Sequence, residues 1–397
     1  MTVTEVPIPP AGDSWGIGLS DKALLLGTHR VLDADTTWKR IEPHLSRIGV
    51  TRLADVTMLD DIGIPVWQAV QPNAKSLSVS QGKGVSHELA RISAVMEALE
   101  CWHAEEGTES VLHSNFRDLE GELSYKMREL DLEQPGLLTE RVMLDWLEGV
   151  DLGSGHATLV PERCVTLDLS TASAFAPPLF SVSSNGLASG NTLEEATLHA
   201  LLELLERDLV ASTTGGRSPN RPPLARLDLT SVDGHCSAMV LEKLREAGVH
   251  VRVHDCGIDG LACFTAAIWS EELPYTFTGS GCHFDRDVAL SRALTEAAQS
   301  RLTAIAGTRD DLPPAIYRSL VASRSVPRPW SDSASELTSF EGARTIHRPF
   351  IADDIKAALS IIEQRAGRHP VRVDLTRQDI GIPVVRVIAP GLSRRRH

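Results

Sequence analysis

SVSQGKGVSHELARISAVMEALECW, from Ser78 to Trp102, puts two carboxylates, Glu97 and Glu100, on the helical stripe that carries Ala90, Ser93 and Ala94. Small residues on a helix mark a face that packs closely. A carboxylate on that face loses its water, which costs several kcal/mol unless a partner replaces the solvent. The stretch belongs either to a helix turned to solvent or to a site where something cationic meets the acids.

The same spacing returns twice. ARISAVMEALE (90–100), ATLHALLELLE (196–206) and ALSRALTEAAQ (289–299) align without gaps. Ala90, Ala196 and Ala289 begin them, and Ala94, Ala200 and Ala293 follow one turn later. Next come Glu97, Glu203 and Glu296, and then Glu100, Glu206 and Gln299. Ser93, His199 and Arg292 fill the remaining step of the stripe. Steps of four, seven and ten residues share one helix face. A solitary Glu pair reads best as solvated surface; three helices repeating it on an alanine-lined face read as helices that converge. Converging acids repel unless cations sit among them, and hard carboxylates favour Mg2+.

A second repeat frames the first. Residues 55–66, DVTMLDDIGIPV, return near the C-terminus as DLTRQDIGIPV, residues 374–384. Each follows an apolar-periodic run that ends in glycine, WKRIEPHLSRIG and IKAALSIIEQRAG; LEKLREAGVHVRVHDCGIDGLACFTAAIW is a looser third copy. Alternating β-branched residues around turn signals predict helix, glycine stop, strand, turn, strand in each. The fold class expected is α+β, built from repeated helix–strand–strand units. Segments 107–160 and 310–345 break the pattern and are expected as surface excursions that shape a substrate channel.

With 397 residues the chain has the length of two or three domains or of one elaborate one. Its 42% hydrophobic and 23% charged residues are those of a soluble globular protein. The formal net charge of -14 argues against a nucleic-acid partner. It also means that a polyphosphate ligand needs local compensation by arginine, lysine or a divalent cation. No basic start leads into an apolar run, and no apolar stretch reaches the roughly 18 residues of a membrane span. The expected location is cytoplasmic, away from any membrane. The six cysteines are scattered without a CxxC pair and read as reduced, structural thiols.

Glycine-bearing segments, SQGKG, SNGLASG and GSG, precede the three repeated helices and leave backbone N–H groups free to meet an anion. Arg30, Lys83, Arg207, Arg292, Arg301 and Arg309 add positive charge. Carboxylates for Mg2+, arginines for phosphate and bare helix starts together describe a nucleoside triphosphate site. The common versions are absent: GKG at 82–84 lacks the flanking residues of a Walker loop, and no dinucleotide fingerprint or kinase set occurs. GDSWG at 12–16 has the GxSxG spacing of a hydrolase nucleophile, but no strand pattern precedes it and no helix pattern follows. Cys256 and Cys263 flank a strand pair and read as core. The RRRH ending reads as a solvated tail.

Four segments carry a resemblance: SQGKGVSHELARISAVMEALE (80–100), NGLASGNTLEEATLHALLELLERD (185–208), RALTEAAQSR (292–301) followed by GTRDD, and DIGIPVVRVIAPG (379–391). In this order they resemble the YcaO superfamily, over residues 20–392. GTHRVLDADTTWKRIEPHLSRIGVTRLADVT is similar to the start of stand-alone members, including those encoded beside TfuA-type partner proteins. The resemblance implies a YcaO-type fold whose Gly-preceded helices converge on an ATP site. Its parts would be an N-terminal extension at 1–20, a single catalytic domain at 21–392 and a basic tail at 393–397. It implies ATP and Mg2+ as cofactors and ATP-dependent activation of a backbone amide in a ribosomally synthesised precursor peptide. In the family a nucleophile adds to the amide carbonyl, ATP phosphorylates the resulting oxyanion, and phosphate leaves. A Cys, Ser or Thr side chain then yields an azoline, an amine yields an amidine, and sulfide yields a thioamide.

Carried onto this chain, the family motifs assign Glu97, Glu100, Glu203 and Glu206 to the metal. They assign Ser93, Gln299, Arg301 and Arg309 to the nucleotide, with Lys83, Asn185 and Arg30 as further contacts. No side chain is assigned as a covalent nucleophile, which agrees with the absence of a triad. The implied partners are the precursor peptide and a TfuA-like or leader-binding protein; a homodimer is compatible with them. Two departures bear on the reaction. Cys101 follows Glu100 where the family usually has arginine, and the chain ends IAPGLSRRRH in place of a proline-rich PxPxP tail. The second weighs against ordinary azoline formation and towards amidine or thioamide products. The competing readings are a non-catalytic substrate-docking homologue and an ATP-dependent ligase.

Overall fold

The computed structural model describes residues 20–25, 27–170, 177–214, 224–309, 311–312, 317 and 336–392. Among the described residues the principal helices are α1 (Ala34–Ile41), α2 (His87–Glu106), α3 (Leu193–Thr214), α4 (His235–Glu246), α5 (Arg286–Ala306) and α6 (Ile351–Ala366). The GDSWG motif and the basic tail at 393–397 lie outside the described residues.

Close approach of strand to helix accounts for the alanines. A Cβ on Gly82, in strand Val79–Lys83, would lie 2.0 Å from the backbone nitrogen of Ala94 and 2.1 Å from the carbonyl of Ala90. The same contact recurs on α5, where a Cβ on Gly281 would lie 2.1 Å from the carbonyl of Ala289. On α3, one on Gly190 would lie 2.5 Å from the nitrogen of Ala196. Glycine on the strand and alanine on the helix let the backbones touch, so Ala90, Ala94, Ala196, Ala289 and Ala293 are all fully buried. The stripe read from the sequence is therefore two neighbouring stripes. Its alanines face the strand, while Ser93, Glu97 and Glu100 turn one step further and stay half-buried.

One order of elements occurs three times. In the first, α1 leads to strands Arg52–Asp55, Val66–Val70 and Val79–Lys83, paired antiparallel in that order, and then to α2. In another, α4 leads to strands His250–Asp255, Ala262–Trp269 and Phe277–His283, again antiparallel, and then to α5. The last is assembled from both ends of the chain. Helix α6 leads to strands Val371–Asp374 and Val384–Ile388, which pair antiparallel with each other. The third strand is Leu187–Ser189, the segment immediately before α3, with Val384 opposite Ser189 and Arg386 opposite Leu187. Gly49, Gly248 and Gly367 stand between the leading helix and the first strand of each copy, at φ 77°, 66° and 68°. Only glycine adopts that left-handed backbone without strain.

Residues 107–160 are not a surface excursion. They add strands Leu112–Ser114, Leu144–Asp151 and Ala157–Pro161 to the sheet of Val371–Asp374, making it six-stranded. Trp146, Leu147 and Phe116 from this segment are buried in the core that α2 covers. The apolar alternation of LDWLEGVD, which fits a half-buried strand, was the available signal. The end of the 310–345 segment is likewise structural: Leu337–Thr338 pairs parallel to Arg226–Leu227, and Phe340 is fully buried. Among the described residues no helix is long and apolar enough to cross a membrane.

Candidate active site

Each repeated helix packs on the last strand of its own copy and also touches the last strand of another. Helix α2 contacts Leu187–Ser189, α3 contacts Phe277–His283, and α5 contacts Val79–Lys83, which closes a ring of three. Hydrogen bonds fix every joint at the same helical position. Glu100 accepts from the Ser189 N–H at 2.8 Å and from its Oγ at 2.5 Å. Glu206 accepts from Ser280 Oγ at 3.0 Å. Gln299 donates through Nε2 to the Gln81 carbonyl at 2.9 Å. A carbonyl partner demands a donor, which is why the third copy carries an amide where the others carry acids.

The ring surrounds a cavity of about 860 Å³. Ser93, Glu97, Glu100, Glu203, Glu206 and Gln299 line it, as do Arg30, Lys83 and Arg309, all expected in the site. Glu296, which repeats Glu97 and Glu203 but has no counterpart in the metal assignment, lines it too and binds Lys83 Nζ at 2.7 Å. His199, Arg207 and Arg292 complete the charged wall.

Two expected residues lie elsewhere. Arg301 is buried away from the cavity, where its Nε and Nη2 donate to Asp60 at 2.9 and 3.2 Å and its Nη1 to Ser270 Oγ at 2.8 Å. The guanidinium is consumed by an ion pair with the DVTMLDDIGIPV phrase and is structural. Asn185 is not among the lining residues, although Ser183 and Ser184 beside it are.

Crowding of acids sets the electrostatics. Burial, only partly opposed by Arg309 and Lys83, pushes the Glu97 carboxyl up to about 7. Burial, against the Ser189 hydroxyl bond and with repulsion from Glu97, pushes Glu100 up to about 8. Glu203 and Glu206 are raised in the same way, first by burial; Arg207, 3.6 Å from Glu203, offsets part of it, and Glu296 repels Glu206. Burial also acts on Glu296, but Lys83 and then Arg207 outweigh it and hold that carboxyl below its ordinary value. Four carboxyls held against ionisation around one cavity form a site that a cation would stabilise. Among the described residues no three His, Cys, Asp or Glu side chains gather closely enough to hold an ion alone. That suits Mg2+, which takes one or two protein carboxylates and completes its shell with water and phosphate oxygens. Cys101 also lines the cavity, but burial pushes its thiol far above its ordinary value, so it is no nucleophile.

Comparison with known proteins gives this arrangement its context. Residues 81–393 match the family model for YcaO cyclodehydratase, ATP- and Mg2+-binding. An uncharacterised protein of Mycobacterium tuberculosis is 41% identical over 385 residues, covering 92% of this chain and 83% of the relative. A protein encoded in the tfuA 3' region of Rhizobium leguminosarum bv. trifolii is 36% identical, covering 92% of this chain and 88% of the relative. Among solved structures, a heterocyclase in complex with substrate and cofactor superposes with a TM-score of 0.77 at 22% identity, over 96% of this chain and 55% of that one. The YcaO protein of Methanopyrus kandleri, bound with AMPPCP and Mg2+, gives 0.71 at 22% identity over 94% and 95%. The fold is thus the α+β fold of these structures, and a family match across most of its length makes this chain a member of the YcaO family of ATP- and Mg2+-binding cyclodehydratases.

Proposed function

We propose that the protein uses ATP to phosphorylate the oxygen of a backbone amide in a ribosomally made peptide, so that a nucleophile can replace it. The observation that carries this reading is the ring of Glu97, Glu100, Glu203 and Glu206 around one cavity, with protonation favoured by burial and cations spaced among the acids. Such a wall suits a metal-bound polyphosphate. When bound, ATP–Mg2+ supplies the phosphoryl group that turns a poor leaving oxygen into phosphate.

The chain's own share is positioning and neutralisation, the two contributions that dominate phosphoryl transfer. Glu97, Glu100, Glu203 and Glu206 would supply the carboxylates for Mg2+, one or two directly and the others through bound water. Arg30, Lys83 and Arg309 would offset the polyphosphate charge, and Ser93 and Gln299 would fix its orientation. The nucleophile adds to the amide carbon and gives up its proton; the carbonyl oxygen departs on phosphorus. A side-chain or amine nucleophile leaves a C=N bond with net loss of water, and sulfide leaves a thioamide. The relative in a tfuA 3' region supports a TfuA-like partner for the reaction. Solved relatives described as a microcin synthetase complex with its pro-peptide support a peptide substrate.

The test places 18O in the target amide carbonyl. Label is expected in the released phosphate, one atom per modification. Unlabelled phosphate beside normal product would remove amide phosphorylation, and turnover-free peptide binding would favour a docking homologue.

A further inference from the structure

Four strands lie side by side, Arg226–Leu227, His250–Asp255, Ala262–Trp269 and Phe277–His283, and their register sets up rows of side chains across the sheet. Arg226 stands opposite His254, His254 opposite Thr265, and Thr265 opposite Ser280. Arg252, Ala267 and Thr278 form the next row. Directly opposed residues of antiparallel strands point to one face, and residues two apart along a strand share it, so both rows do. Helices α4 and α5 cover the other face, over Val253, Phe264, Ala266 and Ile268. On the row face, among the described residues, α3 packs near Cys256, Cys263 and Cys282, while Thr265, Ala267, Thr278 and Ser280 stay half-buried or exposed.

The rows join two places. One end is the central cavity, which Thr278 and Ser280 line and where Ser280 donates to Glu206. The other end is basic: Arg226 and Arg252 line a second cavity of about 370 Å³. Burial, then Arg252 and Arg226, hold His254 below its ordinary value, so at neutral pH it is an uncharged donor. Asp228 borders the second cavity too, but its carboxylate accepts from the Thr230 N–H at 3.0 Å and from the Thr230 hydroxyl at 2.7 Å. On a chain of net charge -14 such a basic end attracts acidic groups that the rest of the surface repels. Thr265 and Ala267 lie between the two ends, small enough for an extended backbone to pass over them. Three strand spacings separate Ser280 from Arg226, roughly 14 Å, and an extended chain covers about 3.3 Å per residue. About four residues bridge the gap.

We infer that this sheet face is the track on which the peptide substrate lies, with its target amide in the central cavity and an acidic side chain, about four residues away, on Arg226 and Arg252. The inference rests on the functional reading above and adds a substrate requirement to it: an acidic residue at a fixed distance from the modified position.

The probe is a dye-labelled peptide of benzoylphenylalanine, a Gly-Ser-Gly spacer and three glutamates, followed by fluorescence anisotropy on the full-length protein. The wild type is expected to bind it about tenfold or more tighter than the same peptide with glutamines or lysines, as for a charged hydrogen bond. Arg226→Gln is expected to remove that preference, and Arg226→Glu to turn it towards the lysine probe, which a merely structural arginine would not do. If the Arg226 variants do not fold, as melting curves show, the same two changes at Arg252 carry the comparison. On irradiation the benzoylphenylalanine is expected to label Thr278, Ser280 or their neighbours in the cavity wall. Equal affinity for the glutamate and glutamine probes would overturn the inference. So would a glutamate preference that survives Arg226→Glu and Arg252→Glu, or label found only outside the cavity. A wild type that binds and labels as expected but takes up no ATP–Mg2+ in calorimetry would instead overturn the functional reading and leave the peptide track standing.

Discussion

Replacing Glu97 by glutamine should stabilise the ligand-free protein and weaken the liganded one. Burial lifts the carboxyl from an ordinary 4.5 to about 7, so the folded chain holds this proton more tightly than the unfolded chain does. Stability is then lost as the pH rises from about 4.5 through about 7, and the loss levels off at about 3 kcal/mol. Glutamine cannot ionise and escapes it. Unfolding entropy for a chain of this length is roughly 0.8 kcal/mol per kelvin, which makes about 3 kcal/mol worth about 4 °C. Without ligand, Glu97→Gln should therefore melt about 4 °C above wild type at pH 8 and within about 1 °C of it at pH 5. With ATP–Mg2+ at about a hundred times Kd the wild type gains about 2.7 kcal/mol, and the variant, lacking the charge that holds the cation, gains less. Melting curves at both pH values, with and without ATP–Mg2+, give all four numbers. A ligand-free variant melting below wild type at pH 8, or a gap that does not narrow at pH 5, would refute the electrostatic argument.

Gly82→Ala should cost more than 3 kcal/mol or abolish soluble expression, because its Cβ would meet α2 backbone that has no room to give; a near-neutral melting temperature would show that strand and helix can separate. Asp60→Asn should destabilise by about 3–5 kcal/mol by leaving Arg301 buried without its partner, yet leave the nucleotide affinity of the folded protein unchanged. An affinity loss there would return Arg301 to the site. Deleting Arg394 to His397 should leave ATP turnover largely intact, as a phosphate-release assay would measure, and near-total loss in a folded truncation would make the tail a working part.

The repeated helices were legible because one physical constraint wrote them three times. Close strand contact selects alanine, and the next stripe is then free to carry acids. What the stripe could not disclose is that alanine and glutamate face different neighbours, since a one-step rotation leaves the spacing unchanged. Glu296 stood in the repeat, yet the metal assignment passed over it; its bond to Lys83 depends on a strand 213 residues away in sequence. Arg301 was misplaced for the converse reason. The arginine that ends RALTEAAQSR looks like a phosphate ligand, and only burial beside Asp60 identifies it as an ion-pair partner. The C-terminal phrase announced a strand pair by its likeness to residues 55–66, but its pairing with Leu187–Ser189 rests on register across nearly 200 residues, which no local periodicity records.

That last pairing has a consequence for biosynthesis. Helix α3 carries Glu203 and Glu206, but the two strands that complete its sheet, Val371–Asp374 and Val384–Ile388, are synthesised long after it. At about 5–20 residues per second, α3 waits roughly 10–35 s for Val384–Ile388. During that interval Leu187–Ser189 presents an open strand edge and α3 an uncovered apolar face, a template for mispairing with other nascent chains. The ring of three helices can close only after Val384–Ile388 has emerged, so a product truncated before that strand would have no partly assembled cavity. Contacts of such high sequence separation also make refolding slow relative to chains of similar stability.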